Sequence, residues 1–149
     1  MKKLLMIYAA IAAVALAIAV PAVPQAQAAT PNYGVQFPVL TVPFHISGQY
    51  TATTASVVRF TLPFKARLIG VSASARASGG TTPTLTVDVL AGGVTVLSAP
   101  VSVTAGAVSE GTITTAALAD EAAITVTLTI GGTTPTWNDI TVLLTVVRE

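Results

Sequence analysis

The chain has 149 residues, of which 52% are hydrophobic and only 9% are charged, and its formal net charge at pH 7 is +1. It contains no cysteine, which excludes disulfides, thiol catalysis, cysteine-bound metal and a cysteine-linked lipid anchor. The near-neutral charge gives no electrostatic reason to expect a nucleic-acid partner. A folded domain of this chain must therefore be stabilised by core packing and by its backbone hydrogen bonds.

The N-terminal segment has the parts of a secretory signal peptide in the usual order. Lys2 and Lys3 give a positive start, Leu4–Val20 is an uninterrupted apolar run, and Ala26-Gln27-Ala28 has the small-x-small pattern of a cleavage site. We expect residues 1–28 to direct export to the periplasm, the cell surface or the extracellular space. The alternative is a retained membrane helix through residues 4–20, because that run is at the lower limit of the roughly 17–25 residues that span a bilayer.

Residues 29–43 contain three prolines, Pro31, Pro38 and Pro43. Proline has no backbone N–H, so within sheets it is confined to edges and strand ends. We predict an extended, proline-rich arm or an edge strand for this segment. Such a segment suits contact with a neighbouring subunit, because proline-fixed extended chain loses little entropy on binding.

Residues 44–149 are rich in threonine and valine, and apolar residues alternate with polar ones along many segments. In the clearest segment Ile124, Val126, Leu128 and Ile130 alternate with threonines. A period of two predicts a half-buried strand. We predict an all-β fold, a single antiparallel β-sandwich or jelly roll of about eight or nine short strands. Further alternating runs begin at Phe44, Val58, Ile69, Leu85 and Ile140.

Glycine-rich segments separate the predicted strands. Gly92-Gly93 predicts a tight hairpin turn between two strands. Residues 79–83 and 131–135 both read GGTTP, and we predict two loops, each followed by a strand. The shared sequence fits either paired hairpins of one sandwich or an internal duplication. Residues 116–123 are predicted to hold one helical turn.

Few residues have the chemistry that catalysis needs. His45, the only histidine, is expected on the exposed side of its strand, and no nucleophile motif accompanies it. The carboxylates are scattered, without the facing pair that a glycosidase needs. Asp120-Glu121 fits a turn better than a calcium site. We therefore predict a protein that is not an enzyme and has no catalytic, cofactor-binding or metal-binding residues.

Aromatic residues suggest one ligand contact. Trp137 lies in a polar segment, and an exposed indole ring there would stack on a sugar. The alternative is that its ring is buried at the open end of the sandwich. In the first case, Trp137, Tyr50 and Asp139 are the predicted contacts with a cell-surface polysaccharide.

Two segments carry a resemblance to a known group of proteins. They read TLTVDVLAGGVTVLSAPVSVTAG from Thr84 to Gly106 and ITVTLTIGGTTPTWNDITVLLTVV from Ile124 to Val147. Together they resemble a β-sandwich module of tailed-bacteriophage virion proteins of the tail, fibre or head-decoration type, over residues 42–148. The chain departs from that pattern at Asp120-Glu121-Ala122, where those proteins have Gly-Asp. The resemblance implies a structural role in a virion and no catalytic residues.

These features predict a non-enzymatic structural or surface protein, either virion-associated or part of the cell envelope. It would act as a homo-oligomer or by docking to a larger protein assembly. The alternative function is an exported binding module for polysaccharide or another cell-surface ligand. A membrane contact is expected only through residues 4–20, and only if they are not removed.

Overall fold

The computed structural model describes residues 39–149, so the predicted signal segment and most of the predicted arm lie outside the described residues. Residues 39–149 form one antiparallel sheet of eight strands and contain no helix, which confirms the all-β prediction. In this range there is accordingly no helix that is long and apolar enough to cross a membrane. The strands are β1 (Val39–Tyr50), β2 (Thr54–Thr61), β3 (Ala66–Ala91), β4 (Val94–Thr95), β5 (Val101–Ser102), β6 (Val108–Glu110), β7 (Ala117–Leu118) and β8 (Ala123–Arg148).

Two long strands, β3 and β8, form the centre of the sheet. Each has 26 residues, and they pair along their whole lengths, from Ala66 opposite Arg148 to Ala91 opposite Ile124. β1 and β2 pair with successive parts of β8, and β4 to β7 pair with β3. The prediction of short strands throughout is therefore wrong for these two, because the glycine- and proline-rich segments inside them do not end the pairing.

The two GGTTP segments lie opposite each other in the middle of β3 and β8. Extended by one threonine, Gly79–Thr84 and Gly131–Thr136 have the same sequence, and the first residue of each pairs with the last residue of the other. Gly80 and Gly132 have φ angles of +96° and +112°. Our prediction of two separate loops is wrong, since each strand bends where its partner bends and the pairing continues on both sides.

The hydrophobic core lies on one face of β3 and β8. The alternation predicted around Val126 is confirmed, since Ile124, Val126 and Leu128 are buried, while Ile130 is half-buried. The buried residues of both halves of the long strands belong to one cluster, and within residues 39–149 no buried residue is polar or charged. This burial stabilises the fold by roughly 25 cal/mol for each Å² of apolar surface removed from water.

Ile69 is an exception to the predicted alternation in β3. We expected its side chain on the same face as Val71, but it is 48% exposed. The register between β3 and β8 shifts between Leu68 and Gly70, which marks a β-bulge. A bulge adds one residue to one strand, so Leu68 and Val71 both face the core and Ile69 does not.

β1 is an edge strand that begins earlier than the predicted domain boundary. Residues 39–43 belong to it, with Pro43 opposite Leu143 of β8. Residues 39–43, which the sequence analysis places in the arm, are therefore part of the sheet. The edge-strand interpretation applies to residues 39–43, and proline is tolerated there because one side of the strand has no partner strand among the described residues.

The turns near Gly92 and Asp120 test two local predictions. Gly92 and Gly93, with φ angles of +59° and +86°, form the predicted two-residue turn between β3 and β4. The helical turn predicted within residues 116–123 is wrong, because β7 occupies Ala117–Leu118 and pairs with β3. Asp120 and Glu121 form a turn, as expected, and the N–H of Ala122 donates to the carbonyl of Ala119.

Candidate functional site

A groove of about 500 Å³ lies on the solvent-facing side of β1, β8, β3 and β6. Its floor follows one row across the sheet, in which His45, Thr141, Ser74 and Val108 are successive cross-strand partners. Ile46, Ala73, Ala75, Ile140 and Val142, which are neighbours of His45, Ser74 and Thr141 along their strands, are buried in the core, so this row faces outward. We call this feature the outer groove. Its remaining lining residues are Ala75, Arg76, Gly106, Ala107 and Asp139.

Asp139 is held at the groove by an uncommon backbone conformation and two partners. Its φ angle of 50° lies in the left-handed region, which aspartate tolerates better than most residues. The N–H of Gly48 donates to Asp139 Oδ1 at 3.2 Å, and Arg76 Nε lies 2.6 Å from Oδ2. A register shift in β1 between Ile46 and Gln49 brings the Gly48 N–H to this position.

These contacts favour the ionised form of the Asp139 carboxylate. The hydrogen bond from the Gly48 N–H is the largest influence and lowers the pKa of Asp139 from its ordinary value of 3.8. Partial burial opposes this effect by disfavouring the charged form, while the hydrogen bond and the positive charge of Arg76 lower the pKa further. The net result is a fixed negative charge beside the fixed positive charge of Arg76.

His45 is exposed, as predicted, and its Nδ1 lies 3.1 Å from the Thr141 hydroxyl oxygen. A hydrolytic triad would need a carboxylate that orients the histidine from its other side. Asp139 does not do this, since its two oxygens contact Arg76 and the Gly48 N–H. The described polar contacts of the outer groove are therefore the Arg76–Asp139 ion pair, the Gly48–Asp139 hydrogen bond and the His45–Thr141 contact.

The three predicted contact residues do not share one surface. Trp137 is 2% exposed and belongs to the core, so its ring is not a platform for a ligand, and within residues 39–149 its indole N–H has no hydrogen-bond partner. Tyr50 lies opposite Trp137 in β1 and is half-buried against the core. Only Asp139 lies in the outer groove.

Sequence reasoning missed Arg76, Ser74 and Thr141 as groove residues. Alternation does place the two hydroxyl residues on the outer face of their strands, but it gives no indication that these strands are neighbours. The ion pair of Arg76 joins residues far apart in the chain, and no motif marks it.

No group of three or more His, Asp or Glu side chains within residues 39–149 is arranged to hold a metal ion. No protein-family model, curated protein or solved structure matches this chain. A functional assignment therefore depends on the chemistry of the chain itself.

Proposed function

We propose that the protein is a non-enzymatic structural or surface protein that acts through self-association or docking to a larger assembly. The observation that supports this most is the edge strand β1, which is 12 residues long and contains no Lys, Arg, Asp or Glu. Within residues 39–149 its backbone pairs only with β8. Its first two residues, Val39 and Leu40, are apolar and are 61% and 44% exposed.

An unprotected edge strand is a surface on which another strand can pair. Soluble proteins commonly protect such edges with charged side chains, prolines or bulges. β2 carries the charge of Arg59, whereas β1 has only Pro43 and the bulge near its end. Residues Val39–Val42 of β1, which precede Pro43, therefore suit the addition of a strand from a second copy or from a neighbouring protein.

We also propose that the sheet folds over on itself into a β-sandwich. Phe44 of β1 and Phe60 of β2 have ring centroids 4.6 Å apart, although the two strands pair with different halves of β8. The single hydrophobic cluster includes residues from both halves of the long strands. The opposed GGTTPT segments would be the line along which the sheet folds, because their positive-φ glycines allow a sharp bend.

The proposed location is outside the cytoplasm or in a virion, on the basis of the N-terminal pattern and of the resemblance to phage virion proteins. Expression with the native N-terminus, followed by measurement of the intact mass, tests whether residues 1–28 act as a secretory signal. Loss of residues 1–28 is the expected result. A full-length product inserted in the membrane would contradict a secretory signal and favour an anchor.

The self-association proposal is tested by light scattering on the purified protein and on a Val39→Lys/Leu40→Lys variant. We expect the unmodified protein to form oligomers and the double variant to shift toward the monomer, since two charges would oppose strand addition at β1. Val94→Lys is the matched control, because Val94 is 66% exposed on β4. A monomeric unmodified protein at high concentration would refute self-association. If Val94→Lys lowers the oligomeric fraction as much as the double variant does, the contact is not specific to β1.

The second candidate function is an exported binding module for polysaccharide or another cell-surface ligand. The observation that favours it is the position of Asp139 in the outer groove, next to Arg76 and on the same open face as His45. The burial of Trp137 moves the expected ligand contact away from that ring and onto the polar groups of the groove.

A further inference from the structure

The outer groove has the volume of a small-ligand site. Its volume of about 500 Å³ falls within the range of roughly 300–1,000 Å³ that such sites occupy. All of the described polar side chains that line it belong to β1, β3 and β8, whose register is set by backbone pairing. Small residues of its lining, including Ser74, Gly106 and Ala107, leave room above the sheet. A ligand would therefore meet groups that are already positioned, which reduces the entropy lost on binding.

The charges of the groove disfavour ionic ligands. Arg76 and Asp139 are in direct contact at 2.6 Å, so their charges compensate each other. An anionic ligand would meet the ionised carboxylate of Asp139, and a cationic ligand would meet the guanidinium of Arg76. Neutral polar molecules avoid both repulsions, and this selects against charged competitors.

The hydrogen-bonding groups match a molecule with several adjacent hydroxyls. Arg76 contacts Asp139 through Nε, and within residues 39–149 its Nη groups have no other partner, so they can donate. His45 contacts Thr141 through Nδ1, which leaves Nε2 facing solvent as a donor or acceptor, depending on the tautomer. The hydroxyl of Ser74 can also donate and accept. Each sugar hydroxyl can both donate and accept a hydrogen bond, so a sugar can pair with the donors and the acceptors of the groove.

We propose that the outer groove binds one neutral sugar unit of a glycan through Arg76, Asp139 and His45. This inference rests on the second candidate function and is independent of self-association through β1. The described lining of the groove contains no Phe, Tyr or Trp side chain, so a single site is expected to bind weakly, with a Kd of about 1 mM. Oligomers would bind a polymeric glycan more tightly, since linked sites can gain about 10²–10⁴ in avidity.

The proposal is tested by two-dimensional NMR of the isotopically labelled full-length protein during titration with single sugars. The neutral probes are galactose, mannose, glucose and N-acetylglucosamine, and the charged counterparts are glucuronate and glucosamine. We expect saturable shifts at Ser74, Arg76 and Thr141 with at least one neutral sugar. The charged sugars should bind at least about tenfold more weakly than that neutral sugar. Absence of saturable shifts with every neutral sugar would overturn the proposal.

Two variants separate a sugar site from a general polar surface. Asp139→Asn keeps a residue that tolerates positive φ but leaves Arg76 without its compensating charge, so we expect selectivity to reverse in favour of glucuronate. Thr141→Val keeps the side-chain shape, removes the partner of His45, and is expected to weaken neutral-sugar binding. Arg67→Ala, an exposed arginine elsewhere on β3, is the matched control and should bind normally. If glucuronate binds the unmodified protein more tightly than any neutral sugar, the neutral-ligand assignment is wrong, whatever light scattering shows.

Discussion

Adding a methyl group at Gly80 should destabilise this protein more than adding one at any loop glycine. Gly80 lies in the first GGTTPT segment with a φ angle of +96°, and a Cβ atom there would press against the carbonyl oxygen of Thr134 and lie 2.8 Å from that of Thr133. Gly132 is in the equivalent position of the second segment, where a Cβ would lie 2.6 Å from the carbonyl oxygen of Thr82. Both obstacles are backbone atoms, which cannot move away as a flexible side chain can.

The expected magnitude has two parts. An unfavourable positive φ costs an alanine on the order of 1–3 kcal/mol. Forcing an extra carbon against packed atoms costs about 1–3 kcal/mol more. Gly80→Ala should therefore lower the free energy of unfolding by about 2–6 kcal/mol, a large share of the roughly 5–15 kcal/mol typical of a domain. Gly48 separates the two parts, because its φ is +98° and a Cβ there would have no neighbour within 4 Å.

Urea unfolding of the unmodified protein and of the Gly48→Ala, Gly80→Ala and Gly132→Ala variants measures these differences. We expect Gly80→Ala and Gly132→Ala to be similar to each other and about 1–3 kcal/mol less stable than Gly48→Ala. The double variant Gly80→Ala/Gly132→Ala should lose less free energy of unfolding than the sum of the two single losses, because both changes act where the two bends contact each other. If Gly48→Ala is as destabilising as Gly80→Ala, the close approach of the two bends is not what requires glycine, and the reasoning fails.

Two further predictions concern the core and the groove. Val126→Lys should prevent folding by burying an unpaired ammonium, whereas Thr127→Lys, on the opposite face and paired with Asp88, should be tolerated. Circular dichroism distinguishes a folded from an unfolded variant. Equal loss of structure in both variants would mean that the two faces of β8 are misassigned. The lowered pKa of Asp139 implies that its contacts with Gly48 and Arg76 stabilise the fold above the unfolded-state pKa and that this contribution is lost as pH falls through the folded-state pKa. The stability difference between the unmodified protein and Asp139→Asn should therefore be present at neutral pH and vanish well below pH 3.8; a difference that persists there would refute the charge argument.

Local patterns in the sequence predict the strands but not their full extent. The alternation of Ile124, Val126 and Leu128 with threonines predicts which side chains are buried, because burial on one face of a strand depends only on neighbours along the chain. The GGTTP segments contain typical turn residues, and those residues predict loops. They remain within the sheet because an identical segment bends on the opposite strand, and that pairing joins parts of the chain that no local pattern relates.

The candidate site was less accessible to sequence reasoning than the fold. His45 is correctly expected to be exposed, since Phe44 and Ile46 on either side of it are apolar. Trp137 lies in a polar segment, two residues after Pro135, so both an exposed and a buried ring are compatible with the sequence, and the structure places the ring in the core. The Arg76–Asp139 pair depends on a β1 bulge and on the left-handed backbone of Asp139, and neither leaves a mark in the residue order.

The pairing of β3 with β8 also determines when this chain can fold. β1 and β2, although they precede β3, have their described strand partners in β8, so neither can join the sheet before residues 123–148 have been synthesised. Within the β3–β8 pairing, Ala91 and Ile124 are the partners closest in sequence. Pairing of these two strands is therefore expected to start there and to reach Ala66 and Arg148 last. Sheets built from such distant pairings fold slowly, typically in milliseconds to seconds. Until then the apolar faces of the early strands stay uncovered, which exposes the incompletely folded chain to aggregation.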